Sequence, residues 1–316
     1  MKEFTIDSDS ASQRFDKYLR RILPNANDSF IYKMLRKKNI TLNHKKATGK
    51  EMTSAGDIVQ LFFSDETFQK FSSPGKSLEP YREAYQKLSY IQIIYEDEHI
   101  LLADKPSSLL TQKSADSDIS LNDWLIGYLK DTGQITEQSF SVFRPSVLNR
   151  LDYNTSGIVI CGKTLAGSQK ISELLKNRKL RKFYVAYVEG EMTGSGTLTA
   201  YHKKDRNRNE AVISLSEPEN MEDFKKIITK YRVLDCKNHI TRLEIELITG
   251  KTHQIRAHLA AIHHPVAGDA KYGSKIKRKD GQLLHCYKII FPAMDGPLSG
   301  LSGKTFICDT DESFNL

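Results

Sequence analysis

The stretch Leu148-Asn149-Arg150-Leu151-Asp152-Tyr153-Asn154-Thr155-Ser156-Gly157 lies between two apolar runs, Pro145-Ser146-Val147-Leu148 and Ile158-Val159-Ile160-Cys161. The second run is short and β-branched, which predicts a buried strand. Between the runs, Asn154-Thr155-Ser156-Gly157 is turn chemistry: small side chains that bond nearby backbone, then a residue free to take positive φ. The pattern therefore sets one carboxylate, Asp152, at the mouth of a core strand, with Arg150 two positions before it. A carboxylate in that place either caps its own turn beside a local arginine or serves chemistry.

The chain of 316 residues has room for two domains and a sizeable core. With 39% hydrophobic and 27% charged residues, wholesale disorder is not expected. No run approaches the roughly 20 apolar residues of a membrane span. Met1-Lys2-Glu3-Phe4-Thr5-Ile6-Asp7 lacks a signal-peptide core, so the expected location is the cytoplasm. The four cysteines, Cys161, Cys236, Cys286 and Cys308, include no C-x-x-C and predict neither a zinc site nor a disulfide framework. A formal net charge of +8 favours a polyanionic partner.

That charge is unevenly placed. Residues 1–63 hold 12 basic and 7 acidic side chains, and Lys33 to Lys50 contains seven Lys or Arg residues and no acid. Phe15, Tyr18, Leu19, Ile22 and Leu23 mark one face of a helix ended by Pro24-Asn25. A second helix is expected after Asp28 or Ser29 as N-cap, facing Ile31, Met34 and Leu35 inward. Strands follow at Ile40–Asn43 and Asp57–Phe63. Because the basic run crosses a helix, a turn and a strand, it predicts a phosphate-contacting surface including Lys37, Lys38, Lys45 and Lys46 rather than one solvated helix face.

Residues 64–88, with Ser72-Ser73-Pro74-Gly75-Lys76-Ser77 and Pro80, read as a linker. Beyond it a hairpin is expected over Ile91–Ala103, a helix over Leu121–Leu129, and another over Leu165–Asn177. Alternation over Lys182–Gly190 puts Tyr184, Ala186 and Val188 on one strand face. Residues 202–210 read as a polar loop, and strands are expected at Ile227–Leu234 and Thr241–Ile248. Thr249 or Thr252 would cap a helix through His258 and Ala261. A metal role for its histidines fails on spacing: His253 and His258 stand roughly 140° apart around a helix, with no Glu between them.

Four segments together resemble the RluA/RluC/RluD family of RNA pseudouridine synthases. These are Ile93-Ile94-Tyr95-Glu96-Asp97-Glu98-His99-Ile100-Leu101-Leu102-Ala103-Asp104-Lys105-Pro106, the R-L-D-x-x-T-S-G of 150–157, the K-x-Y-x-A-x-V-x-G of 182–190, and the G-K-T-H-Q-I-R-A-H of 250–258 with G-D-A-K-Y-G at 268–273. Residues 1–63, with D-K-Y-L-R early and G-D-I-V late, resemble the small RNA-binding module of the ribosomal-protein-S-four type. The resemblance implies an α+β fold: a mixed, largely antiparallel sheet with flanking helices over residues 89–316, carrying the small N-terminal domain at 1–63.

It also implies function. The family isomerises chosen uridines in RNA to pseudouridine without cofactor or metal. Its motifs make Asp152 catalytic, pair Arg256 with it, and place Tyr184 in the active site. Ile255 would wall the base and Arg150 would fill the gap left by a flipped uridine or touch phosphate. A departure is Asn149, where many members carry His. A module at the N-terminus points to large-subunit ribosomal RNA, acted on by a monomer. The other readings are a pseudouridine synthase for transfer RNA, a non-catalytic RNA-binding or ribosome-assembly protein, and a nucleoside hydrolase using Asp152 against water.

Overall fold

The computed structural model describes residues 1–6, 10–72, 77–205 and 207–309. At the N-terminus, β1 (Lys2–Thr5), α1 (Phe15–Ile22), α2 (Asp28–Arg36), β2 (Ile40–Leu42), β3 (Lys45–Lys46) and β4 (Ile58–Leu61) surround a core of their own. The four strands pair antiparallel in the order β1-β4-β2-β3. Phe15, Tyr18, Leu19 and Ile22 of α1 are buried, as their i, i+3, i+4, i+7 spacing requires. The cap of α2 differs from expectation: the Asn27 side chain, not Asp28 or Ser29, accepts the Phe30 N–H at 2.9 Å. Its short amide reaches the third N–H of the helix from a residue still in extended conformation.

Residues 64–88, expected as a linker, carry two helices, while 73–76 lie outside the described residues. In α3 (Asp65–Phe71), Ser64 caps by accepting the Thr67 N–H, and Phe68 and Phe71 pack on the N-terminal core. The Phe71 ring lies 4.0 Å from that of Phe30, centroid to centroid. In α4 (Glu79–Lys87), Pro80 stands in the first turn, where a missing N–H breaks no helical bond.

The larger unit comprises β5 (Gln92–Glu96), β6 (Ile100–Lys105), α5 (Leu121–Asp131), α6 (Glu137–Val142), β7 (Ser146–Val147), β8 (Ser156–Gly162), α7 (Leu165–Lys176), β9 (Arg181–Glu189), β10 (Ser195–Asp205), β11 (Glu210–Ser214), β12 (Lys225–Lys237), β13 (Ile240–Leu247), α8 (Gln254–Ala261), β14 (Leu284–Ile290) and β15 (Thr305–Ile307). Among the described residues these strands form one 11-stranded sheet ordered β11-β10-β12-β13-β9-β14-β8-β6-β5, with β15 on β14 and β7 on β8. Every pairing is antiparallel except that of β8 with β14. The fold is α+β, with a mostly antiparallel sheet.

Strand β8 is buried at all seven positions, which is why it reads as a continuous apolar run. Gly157 pairs with Cys286 of β14 at φ 107°, and a Cβ there would stand 2.3 Å from the Cys286 carbonyl oxygen. Only glycine fits that approach. Residues 202–205, expected within a polar loop, extend β10 into a hairpin with β11, because His202 is buried and its ring bonds the Thr252 carbonyl. Neither Thr249 nor Thr252 caps α8; His253 occupies that place, and the Gln254 side chain accepts from Thr249 Oγ1 and the Lys251 N–H. Among the described residues no helix is long and apolar enough to cross a membrane.

Candidate active site

The turn between Leu148 and β8 is held by side chains from both flanks. Asn149 accepts the Ile160 N–H at 2.7 Å and donates to the Ile158 carbonyl, so it pins the segment to β8. Thr111 Oγ1 donates to the Leu151 carbonyl and accepts the Leu151 N–H. The Thr155 N–H closes a turn on the Asp152 carbonyl at 3.0 Å. Beneath it, the fully buried Lys105 donates to the carbonyls of Pro106, Leu109 and Tyr153. Burial pushes its amine down to about 7 against the pull of Asp152 and Asp104.

Arg256 reaches this turn from the first turn of α8. Its Nη1 donates to Asp152 Oδ2 at 2.9 Å, while Nε and Nη2 form a fork on Asp269 at 2.7 and 2.8 Å. One guanidinium thus bridges two carboxylates whose side chains are exposed by 25% and 1% respectively, so Asp152 is the end open to a ligand. Burial opposes the charge on Arg256, but the Asp269 bonds and charge, with those of Asp152, outweigh it and raise its pKa further. The Tyr272 ring lies 5.1 Å from the guanidinium carbon.

Tyr184, on the inward face of β9, is buried. Burial first, then Cys286 and Asp152, raise its phenol well above the usual value, so it is a neutral hydroxyl at pH 7. Ile255 is buried in the same apolar cluster as Tyr184. Arg150 is exposed, two residues from Asp152. The chain therefore bonds Arg256 to Asp152 and brings the Asp152 charge to bear on Tyr184, while Ile255 precedes Arg256 in α8 and Arg150 stays exposed. Lys37, Lys38, Lys45 and Lys46 are exposed on the separate N-terminal unit. There a groove of about 610 Å³ is lined by Tyr32, Lys33, Arg36 and Lys46 among others.

Sequence alone assigns no role to Asp269, Lys105 or His253, although each lies inside one of the family-like segments. Their signal is position alone: an acid after Gly268, a lysine before Pro106, a histidine before Gln254.

The model of the RNA pseudouridylate synthase family matches residues 99–261, just over half of the chain and spanning Asp152, Tyr184 and Arg256. The chain belongs to this family. A Rickettsia prowazekii protein named ribosomal large subunit pseudouridine synthase C is 30% identical over 267 residues, covering 83% of this chain and 82% of its own. An uncharacterized RNA pseudouridine synthase of Mycoplasma genitalium is 29% identical over 305 residues, covering 93% and 90%. The solved human RNA pseudouridylate synthase domain-containing 4 shares the fold, with a TM-score of 0.60 at 19% identity over 75% of this chain and 95% of that one. Members of the family are isomerases that act on RNA, and so is this synthase.

Proposed function

We propose that this synthase isomerises uridines of large-subunit ribosomal RNA to pseudouridine, with Asp152 as the residue acting on the nucleotide. The observation that carries the reading is the Arg256 bridge: a buried cation, fixed by Asp269, holding the one partly exposed carboxylate of the pair. Large-subunit RNA is supported by the names of relatives from Rickettsia prowazekii and Xylella fastidiosa, the latter a ribosomal large subunit pseudouridine synthase D.

In the reaction the N1–C1′ bond breaks, a C5–C1′ bond forms, hydrogen leaves C5 and hydrogen joins N1. Asp152 acts either at the anomeric carbon or on a sugar proton; both routes need the carboxylate aimed, which is what the Arg256 bond supplies. Tyr184, protonated and buried, serves as a surface for the base rather than as an ionised proton acceptor. Ile255 contributes apolar wall, and Arg150 at the rim fills the gap left when the uridine leaves its stack. Lys37, Lys38, Lys45 and Lys46, in a module of the ribosomal-protein-S-four type, hold the RNA backbone.

The test is tritium release from C5-tritiated large-subunit RNA. The wild type is expected to release it and Asp152→Asn to be slower by about 10³-fold or more. Equal release by both proteins would overturn the reading. Free uracil would indicate a hydrolase, and release only from transfer RNA would change the substrate.

A further inference from the structure

The backbone of His253 is left-handed, φ 53° and ψ 20°, immediately before α8. That conformation is uncommon for a residue with a Cβ and persists where its surroundings impose it. Here Gln254 imposes it: besides accepting from Thr249 and Lys251, its amide donates to the Ile228 carbonyl and to Thr229 Oγ1. The imidazole, nearly buried, then lies with Nε2 3.9 Å from Asp152 Oδ1, the oxygen that Arg256 does not bond. Its Nδ1 is 2.9 Å from the Tyr272 hydroxyl, and that hydroxyl accepts the Ala211 N–H at 2.8 Å.

We propose that His253 is a positioning residue for Asp152, its Nε2–H serving as a second donor to the carboxylate, with Tyr272 fixing the tautomer. The inference rests on the reading of Asp152 given above. The hydrogens can run in one direction. Tyr272 Oη receives a hydrogen from Ala211 and gives its own to Nδ1, which leaves the ring hydrogen on Nε2, facing Asp152. The charges of Asp152, Arg256, Lys271 and Asp269 act on the ring, and the Tyr272 hydroxyl bonds it. Burial lowers its pKa against the Asp152 charge, with Arg256 and Lys271 adding to the fall, so it is a neutral donor rather than a second cation. At 3.9 Å no hydrogen bond exists in the free protein; it forms when the nucleotide binds, as catalytic hydrogen bonds commonly tighten in the complex. Donors on both oxygens then fix the rotation of the carboxylate, which one donor cannot.

The experiment compares wild type, His253→Asn, His253→Gln, Tyr272→Phe and Asp152→Asn in tritium release from C5-tritiated large-subunit RNA. Asn tolerates the left-handed backbone but is too short to reach Asp152, whereas the Gln amide nitrogen reaches as Nε2 does. His253→Asn is expected to lower kcat about 10–100-fold with KM within about threefold and an unchanged melting temperature. His253→Gln should recover to within about fivefold of wild type. Tyr272→Phe, which leaves the backbone at 253 untouched, should lower kcat several-fold. Wild-type kcat in His253→Asn or in Tyr272→Phe, a change confined to KM, or no recovery with Gln would overturn the inference. If Asp152→Asn is inactive while His253→Asn is not impaired, this inference alone falls. Activity in Asp152→Asn would instead remove the reading beneath it.

Discussion

Arg256 divides its donors unequally, and the division gives each carboxylate a different task. Asp269 takes the bidentate fork and is sealed from water, while Asp152 takes a single bond and stays open. Asp269→Asn should therefore disable the site without touching the nucleotide. The buried guanidinium would be deprived of its main counter-charge, destabilising the fold by about 3–5 kcal/mol in urea melts and lowering kcat about 10²-fold. A variant as stable and active as wild type would show that Asp152 alone suffices to hold Arg256. Lys105 offers a pH test. Its folded pKa, about 7, lies below the unfolded value, so between pH 7 and about 10 the unfolded chain binds more protons and this group adds stability as pH rises. From pH 7 to 9 the wild type should gain about 2 kcal/mol relative to Lys105→Met, measured as the difference in unfolding free energy. Parallel pH profiles would show that the amine keeps its proton among its three carbonyls. Neither Asp269 nor Lys105 was legible as a site residue in the sequence. A lone acid or lysine looks like solvated surface until folding shows what buries it. Even Asp152 and Arg256, 104 residues apart, were joined by family resemblance and not by any local pattern.

At the scale of elements, the chain declared itself where one face is apolar and stayed silent where aromatic residues act singly. The face of α1 and the buried run of β8 follow from spacing and β-branching. Helices α3 and α4 did not, because α3 buries only the rings of Phe68 and Phe71 partway and α4 carries a proline that looks like a breaker. The junction of β8 with β14 supports the Asp152 turn and depends on Gly157. Gly157→Ala places a methyl against the Cys286 carbonyl at a positive φ, and a destabilisation of about 3 kcal/mol is expected in urea unfolding. A change below about 0.5 kcal/mol would mean that the two strands part at little cost. On the N-terminal unit, Lys37 and Lys38 follow α2 and Lys45 and Lys46 form β3, all four exposed. Replacing all four by Ala should weaken RNA binding and flatten the slope of log affinity against log salt by about 0.7–0.9 for each phosphate no longer neutralised. An unchanged slope would place the RNA surface elsewhere.

Across the whole molecule, the decisive question is where the larger unit begins, because the two units have separate cores. The expected boundary at residue 89 would discard α4. Yet α4 lies so close on α5 that a Cβ on Gly127 would stand 2.0 Å from the Tyr81 carbonyl oxygen, and Leu78, Ala84 and Leu88 are buried there. Tyr81 also packs edge-on against Phe140 of α6, and Val142 at the end of α6 joins the N-terminal core. Helix α4 therefore belongs with the larger unit, while α3 belongs with the smaller. A fragment of residues 77–316 should fold and isomerise uridine in a short RNA, with kcat near wild type and KM raised because the four lysines are missing, whereas 89–316 should melt lower. Removing α4 deletes the buried Leu78, Ala84 and Leu88 side chains and uncovers the face of α5 beneath them, a destabilisation of about 3–6 kcal/mol at the usual value per buried side chain. Thermal melts of the two fragments decide the matter. Equal melting temperatures would show that α4 is a passive connector and that the catalytic unit starts at β5.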